Sequence, residues 1–234
     1  MPPSASPTSR LGKQFNLPNQ LTSLRLLLSV VLFGLIVWEH YFSSFVLFVV
    51  AAGTDWLDGY YARKYGQITT LGRILDPFAD KVIICGTFIF LAAAPQMAKE
   101  PWGLRTWMVV VIVGRELLVT ALRSFLEEQG SDFSAKMSGK LKMVLQCVAA
   151  GSCLVFLGLE VRGVPEGLWR LAGALHLRGV LVMSPPGVRG VPAWVWWTTI
   201  LSVWGAVVLT VYSGVVYVQA AVKLLHREPG DDAA

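Results

Sequence analysis

Residues 55–80 read Asp55-Trp56-Leu57-Asp58-Gly59-Tyr60-Tyr61-Ala62-Arg63, then eight residues, then Gly72, Asp76 and Asp80. Four carboxylates thus sit inside otherwise apolar, membrane-type sequence. Residues three and four apart share one face of a helix. Asp55, Asp58, Gly59 and Ala62 therefore line one stripe, and Gly72, Asp76 and Asp80 line another. If the stripes face each other, four carboxylates surround one point. Repulsion and desolvation would force some of them to protonate unless cations neutralise them. Hard oxygen donors suit Mg²⁺ or Mn²⁺. Gly59 and Ala62 leave the helix surface bare, so a bulky ligand can approach the backbone. Arg63, one turn after Gly59, can fork onto phosphate oxygens. Acids, an arginine and missing side chains together suggest a metal-bound diphosphate. The competing reading pairs the acids with Arg63, Arg73 and Lys81 to brace a helix bundle. Intramembrane acids are costly enough to favour function.

The spacing Asp-x2-Asp-Gly-x2-Ala-Arg-x8-Gly-x3-Asp-x3-Asp resembles the signature of the CDP-alcohol phosphotransferases, and every fixed position is filled. That resemblance implies two metal ions held by Asp55, Asp58, Asp76 and Asp80, and a bound CDP-linked lipid. It also implies Asp80, the last acid, as general base. Gly59, Ala62, Arg63 and Gly72 are then the candidate CDP-lipid contacts.

The whole chain fits a membrane setting. Its 234 residues are 54% hydrophobic and only 15% charged, with a mean hydropathy of +0.57. An ordinary soluble domain is less apolar and more charged. One bilayer crossing takes about 20 apolar residues as helix. Apolar runs over 21–38, 45–65, 71–94, 107–126, from 138 onward, and over 193–222 predict an all-α polytopic membrane protein with six transmembrane helices in one bundle. Residues 1–15 read as a mobile Pro/Ser/Thr-rich segment without a signal-peptide cleavage pattern. Residues 16–222 form the transmembrane domain, and 223–234 a polar tail. The 160–190 stretch is a long Gly/Pro/Arg-rich connection, with a short interfacial helix expected over 168–177.

Cys85, Cys147 and Cys153 lie in apolar runs and read as packing residues. His40, His176 and His226 have no metal-ligand spacing. Trp194, Trp196 and Trp197 read as interfacial anchors at the start of the sixth span. The net charge of +5 suits a basic face near anionic lipid. Basic residues spread among the spans give no sign of nucleic-acid binding. Arg10, Lys13, Arg63, Lys64, Lys136, Lys140 and Lys142 favour a cytoplasmic N-terminus and acid-bearing face. Arg162, Arg170, Arg178 and Arg189 run against that assignment.

Further polar residues interrupt the spans. Arg25 falls in the first turns of the first helix, where snorkelling to phosphates or simple interfacial anchoring both fit. Pro77 follows Asp76, in either a first turn or a kinked interior. Arg115, Glu116 and Arg123 are expensive on an apolar helix. Arg115 and Arg123, two turns apart, share a face. Adjacent Arg115 and Glu116 do not face each other, so each needs a partner on another helix. Anion binding by the arginines is favoured over bracing. Lys140 and Lys142 stand at a helix start, where the macrodipole disfavours cations, and a nearby anion would explain them.

Three runs narrow the resemblance: Asn-Leu-Pro-Asn-x-Leu-Thr-x-x-Arg from Asn16, Arg-Glu-x-x-x-x-x-Leu-Arg from Arg115, and Gly-Lys-x-Lys-x-x-x-Gln from Gly139. They look like bacterial phosphatidylglycerophosphate synthases across about residues 16–146. This implies transfer of a phosphatidyl group from CDP-diacylglycerol to sn-glycerol 3-phosphate, with release of CMP. Arg115, Arg123, Lys140 and Lys142 would meet the acceptor phosphate. It further implies membrane lipid as a partner, a homodimer, and a bacterial inner-membrane enzyme with its active site open to the cytoplasm. The rival readings are a sibling transferase acting on inositol phosphate, inositol or serine, and a divalent-cation transporter.

Overall fold

The computed structural model describes residues 17–65, 70–128, 137–163 and 191–225, together with Gly167 and Arg170; side chains are described over 22–54, 78–124, 141–163 and 191–222, with those two residues. Every regular element among them is a helix: α1 (Leu17–Val37), α2 (Tyr41–Tyr65), α3 (Thr70–Ala93), α4 (Pro95–Lys99), α5 (Thr106–Glu128), α6 (Met137–Arg162) and α7 (Ala193–Leu225). The all-α class expected from the sequence is what is found. The helix expected over 168–177 lies outside the described residues.

Local chemistry sets the boundaries. Helix α1 ends in a Schellman-type turn, in which Glu39 N–H donates to the Ile36 carbonyl and His40 N–H to the Leu35 carbonyl. Glu39 takes the left-handed conformation there, φ 58°, which glycine usually fills. Helix α2 therefore begins at Tyr41, four residues before the expected 45–65 run. Pro95 at the first position of α4 needs no N–H partner, and it starts a helical turn between the expected 71–94 and 107–126 runs. Pro77 is the eighth residue of α3. It lies in the helix interior, where it removes one backbone bond.

The described residues pack as two compact units, one within Met1–Phe90 and one within Leu91–Ala234. In the first, α1 buries Thr22, Arg25, Ser29, Leu32 and Ile36, a stripe at alternating spacings of three and four. The opposite face of α1 leaves Leu27 and Val30 about two-thirds exposed. Arg25 contacts Asp80, and farther along Phe33 stacks on Phe90 at 4.9 Å. The paired positions increase together, so α1 and α3 run parallel. Helix α2 packs along α1.

In the second unit α7 packs along α6 and α5. Ser152 and Ser202 hydroxyls lie 3.0 Å apart, and Thr199 Oγ1 donates to the Ser152 carbonyl at 3.3 Å. Trp196 is turned inward against Trp102, 5.6 Å between ring centres, whereas Trp194 and Trp197 stay half exposed. The anchor role expected of all three tryptophans therefore suits the two outer ones. Cys153 is buried, Cys85 and Cys147 are half-buried, and none of the three forms a disulfide among the described residues.

Leu141–Arg162 and Ala193–Val222 are long and apolar enough to cross a bilayer, with 22 and 30 residues. Large apolar side chains stand exposed on the long helices, including Val110, Leu201 and Val208 at more than 60%. Water does not tolerate such continuous apolar faces on a folded protein, and lipid does. This is a helical membrane protein.

Gly86 is the close-approach point between α3 and α1: a Cβ there would collide with the Phe33 ring. That ring stacks on Phe90, which restricts where it can move. Gly86→Val is expected to cost roughly 1–3 kcal/mol, the usual penalty of overpacking, read as a lower thermal unfolding midpoint in detergent.

Candidate active site

Helix α2 carries Asp55, Asp58, Gly59, Ala62 and Arg63 in its C-terminal half, and α3 carries Gly72, Asp76 and Asp80 in its N-terminal half. Residues 66–69 connect them. Asp55 and Asp80 each stand about ten residues from that connection, roughly 15 Å along the axis. Asp58 and Asp76 are nearer to it by similar amounts. The side chains of Asp55, Asp58, Gly59, Ala62, Arg63, Gly72 and Asp76 lie outside the described residues. Among the described residues no cluster of three metal-binding side chains occurs.

Asp80 is described, and its surroundings add a residue. Arg25 Nη1 donates to Asp80 Oδ1 at 2.6 Å. The arginine side chain is 2% exposed and the aspartate 36%. Arg25 therefore does not snorkel, because position 25 belongs to the buried stripe of α1. Ser29 Oγ donates to the Arg25 carbonyl at 2.8 Å, keeping that stripe polar toward its N-terminal end.

The second unit assembles the basic residues. Glu116 on α5 is paired with Lys142 on α6. Gln146 Nε2, one turn beyond Lys142, donates to the same Glu116 oxygen at 3.3 Å and reaches Thr210 Oγ1 of α7 at 3.5 Å. Arg115 Nη1 stands 3.6 Å from the other Glu116 oxygen, so the two neighbours on α5 do approach each other. The Arg115 guanidinium also lies 5.4 Å over the Tyr217 ring, within cation–π range. Gly214, one turn earlier on α7, makes the room, since a Cβ there would come within 3.2 Å of Arg115 Cγ. Arg123 Nη2 lies 3.4 Å from the Tyr217 hydroxyl. Tyr217 thus spans the two arginines that the spacing put on one face. Among the described residues, the Nε atoms of Arg115 and Arg123 are buried without a hydrogen-bond partner. Lys140 falls on α6, with its side chain outside the described residues.

Chemically this is a cationic cluster, with Arg115, Arg123 and Lys142 against the carboxylate of Glu116 among the described residues. Buried N–H donors without partners are costly, and an anion can satisfy them.

Comparison with known proteins settles the lineage. Residues 15–184 match the family model for CDP-alcohol phosphatidyltransferase. The chain belongs to the CDP-alcohol phosphatidyltransferase family. The family match runs well past the residues 16–146 that carry the sequence resemblance, and into the 160–190 connection. Curated relatives include a Bacillus subtilis protein, 35% identical over 60% of this chain and 77% of its own length. A Shigella flexneri protein is 35% identical over 72% of this chain and 92% of its own. An Escherichia coli K12 protein is 34% identical over the same shares. Each is named CDP-diacylglycerol–glycerol-3-phosphate 3-phosphatidyltransferase.

Gln146, Thr210 and Tyr217, and the partners of Arg25 and Glu116, join the picture only with the structure. Arg25, Glu116 and Gln146 had a signal, as polar residues within the quoted runs. Tyr217 had none, being one aromatic in a long apolar helix.

A double-mutant cycle checks the Arg25–Asp80 pair. Exposed pairs contribute about 0–1 kcal/mol and breaking a fully buried one costs about 3–5 kcal/mol. With Asp80 a third exposed, a coupling of about 1–2 kcal/mol is expected from the unfolding midpoints of Arg25→Ala, Asp80→Ala and the double variant in detergent. Additive losses would mean that the pair does not operate in the bilayer-like environment.

Proposed function

We propose that this protein transfers the phosphatidyl group of CDP-diacylglycerol to sn-glycerol 3-phosphate, giving phosphatidylglycerophosphate and CMP. The observation that carries the reading is the buried cationic cluster on α5 and α6, in a chain whose family relatives bear that activity in their names. An uncharged acceptor would leave three cations against one carboxylate among the described residues, an excess of positive charge that is expensive where water is scarce. A phosphate monoester compensates them.

The donor set fits hard divalent cations: four carboxylates, oxygen only, two on each of two successive helices. Asp55, Asp58, Asp76 and Asp80 would hold two Mg²⁺ or Mn²⁺ ions, which supply neutralisation of the diphosphate charge when bound. Gly59, Ala62 and Gly72 leave room for the cytidine end, and Arg63 binds phosphate oxygens. Arg115, Arg123, Lys140 and Lys142 bind the acceptor phosphate and orient its hydroxyl. Asp80 takes the hydroxyl proton as general base. The acceptor oxygen forms its bond to the phosphatidyl phosphorus as the bond to CMP breaks, and CMP leaves with those electrons. Arg25 holds Oδ1 of Asp80 and so orients the carboxylate. The chain crosses the bacterial inner membrane six times as a homodimer, with these residues open to the cytoplasm and the acyl chains left in lipid.

The deciding experiment is a transfer assay with purified protein, CDP-diacylglycerol, Mg²⁺ or Mn²⁺, and a panel of glycerol 3-phosphate, inositol, inositol phosphate and serine. Phosphatidylglycerophosphate and CMP should form with glycerol 3-phosphate alone. Product with another acceptor would keep the transferase and overturn the acceptor. No CMP from folded protein would favour ion transport by the acids.

Asp80→Asn should reduce turnover by at least about a hundredfold, the lower range for losing a general base, while CDP-diacylglycerol still binds. An active Asp80→Asn enzyme would remove Asp80 from the proton transfer.

A further inference from the structure

We infer that Glu116 is a positioning residue for the acceptor phosphate: a carboxylate that holds Lys142 in place before the ligand arrives. The inference rests on the acceptor reading above and concerns a residue outside that binding set. Glu116 is the carboxylate at the centre of the described cationic cluster. It is 14% exposed, and the Lys142 side chain paired with it is 6% exposed. A lysine has a flexible four-carbon stem that must be ordered when it grips a ligand. Buried without a counter-charge, an ammonium is also disfavoured. Glu116 answers both needs while the site is empty.

Glu116 is itself tied to two other helices. Gln146 of α6 donates to Glu116 Oε1 at 3.3 Å and contacts Thr210 of α7 at 3.5 Å. On α5, Arg115 approaches Oε2 at 3.6 Å while its guanidinium covers Tyr217. One carboxylate therefore fixes a lysine and an arginine that would both face the phosphate. A hydrogen-bonded carboxylate that merely competed with the ligand would have no need of this support from Gln146. The geometry is that of a preorganised anion site, where ordering is complete before binding.

The test reads binding and turnover separately. Wild type, Glu116→Ala, Glu116→Gln, Lys142→Met and Glu116→Ala/Lys142→Met are purified in detergent. The dissociation constant of glycerol 3-phosphate is measured by calorimetry without CDP-diacylglycerol, with KM for both substrates measured alongside. Glu116→Ala is expected to weaken glycerol 3-phosphate binding and raise its KM about tenfold, leaving the KM of CDP-diacylglycerol within about twofold. Glu116→Gln, which keeps an acceptor oxygen, should recover part of the loss. The double variant should lose clearly less than the product of the two single losses, because most of the effect of Glu116 passes through that lysine. A purely bracing role predicts multiplied losses and a rise in both KM values, and either result would overturn the inference. So would tighter phosphate binding in Glu116→Gln, the mark of a competitor. If wild type makes no phosphatidylglycerophosphate, the functional reading fails by itself. The calorimetric series then still decides Glu116, with inorganic phosphate as the probe: non-additive weakening supports the positioning role, and unchanged or tighter binding removes it.

Discussion

The cost of placing charge inside apolar helices shapes this molecule more than any other term. Arg25, Asp80, Arg115, Glu116, Arg123 and Lys142 all lie on helices whose other faces are built for hydrocarbon. A bare charge there is intolerable, so each is met by an opposite charge, an aromatic face or a polar neighbour on another helix. Arg25 meets Asp80, Lys142 meets Glu116, and the arginines of α5 meet Tyr217. These pairings determine which face of each helix turns inward. The apolar remainder of the inward stripes follows from them by helical periodicity.

The inward stripes share a gradient. On α1 the buried residues run from Thr22, Arg25 and Ser29 to Leu32 and Ile36. On α6 they run from Lys142 and Gln146 to Leu154 and Phe156. Helix α7 runs the other way, from Val195 toward Thr210, Ser213 and Tyr217, with Thr199 and Ser202 tied to α6 on the way. Within each unit the buried charges Arg25 and Lys142 lie toward one end of the helices, while at the other end the buried polar groups are hydroxyls such as Ser44, Thr87, Thr199 and Ser202. The uncharged end supplies rigidity through contacts such as Phe33 on Phe90. The other end is then free to carry charge whose placement chemistry demands.

Much of this was legible in the residues. The run 55–80 revealed the acids, their helical spacing and the family, because costly residues at fixed spacing in apolar sequence are tolerated only where chemistry needs them. Helix positions followed from apolar runs. The partners were not legible in the same way. Arg25 could be read as snorkelling, since nothing in its neighbours says that position 25 lies on the inward stripe until Asp80 is placed against it. The Glu116–Lys142 pair joins positions on two helices, and sequence carries periodicity within a helix but not register between helices. Tyr217 is indistinguishable in sequence from the other aromatics of α7; only the position of Arg115 gives it a task.

The helices that carry the charges are also those least able to insert alone. The described stretches that stand out as apolar spans belong to α6 and α7, whose charged residues cluster toward their ends. Helix α5 instead carries Arg115, Glu116 and Arg123 in its interior half. A charged residue at a helix centre costs about 2.5–3.5 kcal/mol on the insertion scale, against only about 0.3–0.6 kcal/mol gained per large apolar residue. Three charges therefore cancel the contribution of most of the apolar residues in that helix. What α5 lacks alone, its neighbours supply: Lys142 for Glu116 from α6, and Tyr217 for the arginines from α7. Stable placement of α5 thus depends on the helices that follow it in the chain. The same contacts that make α5 tolerable in lipid also set the geometry of the cationic cluster, so assembly and function draw on one set of side chains.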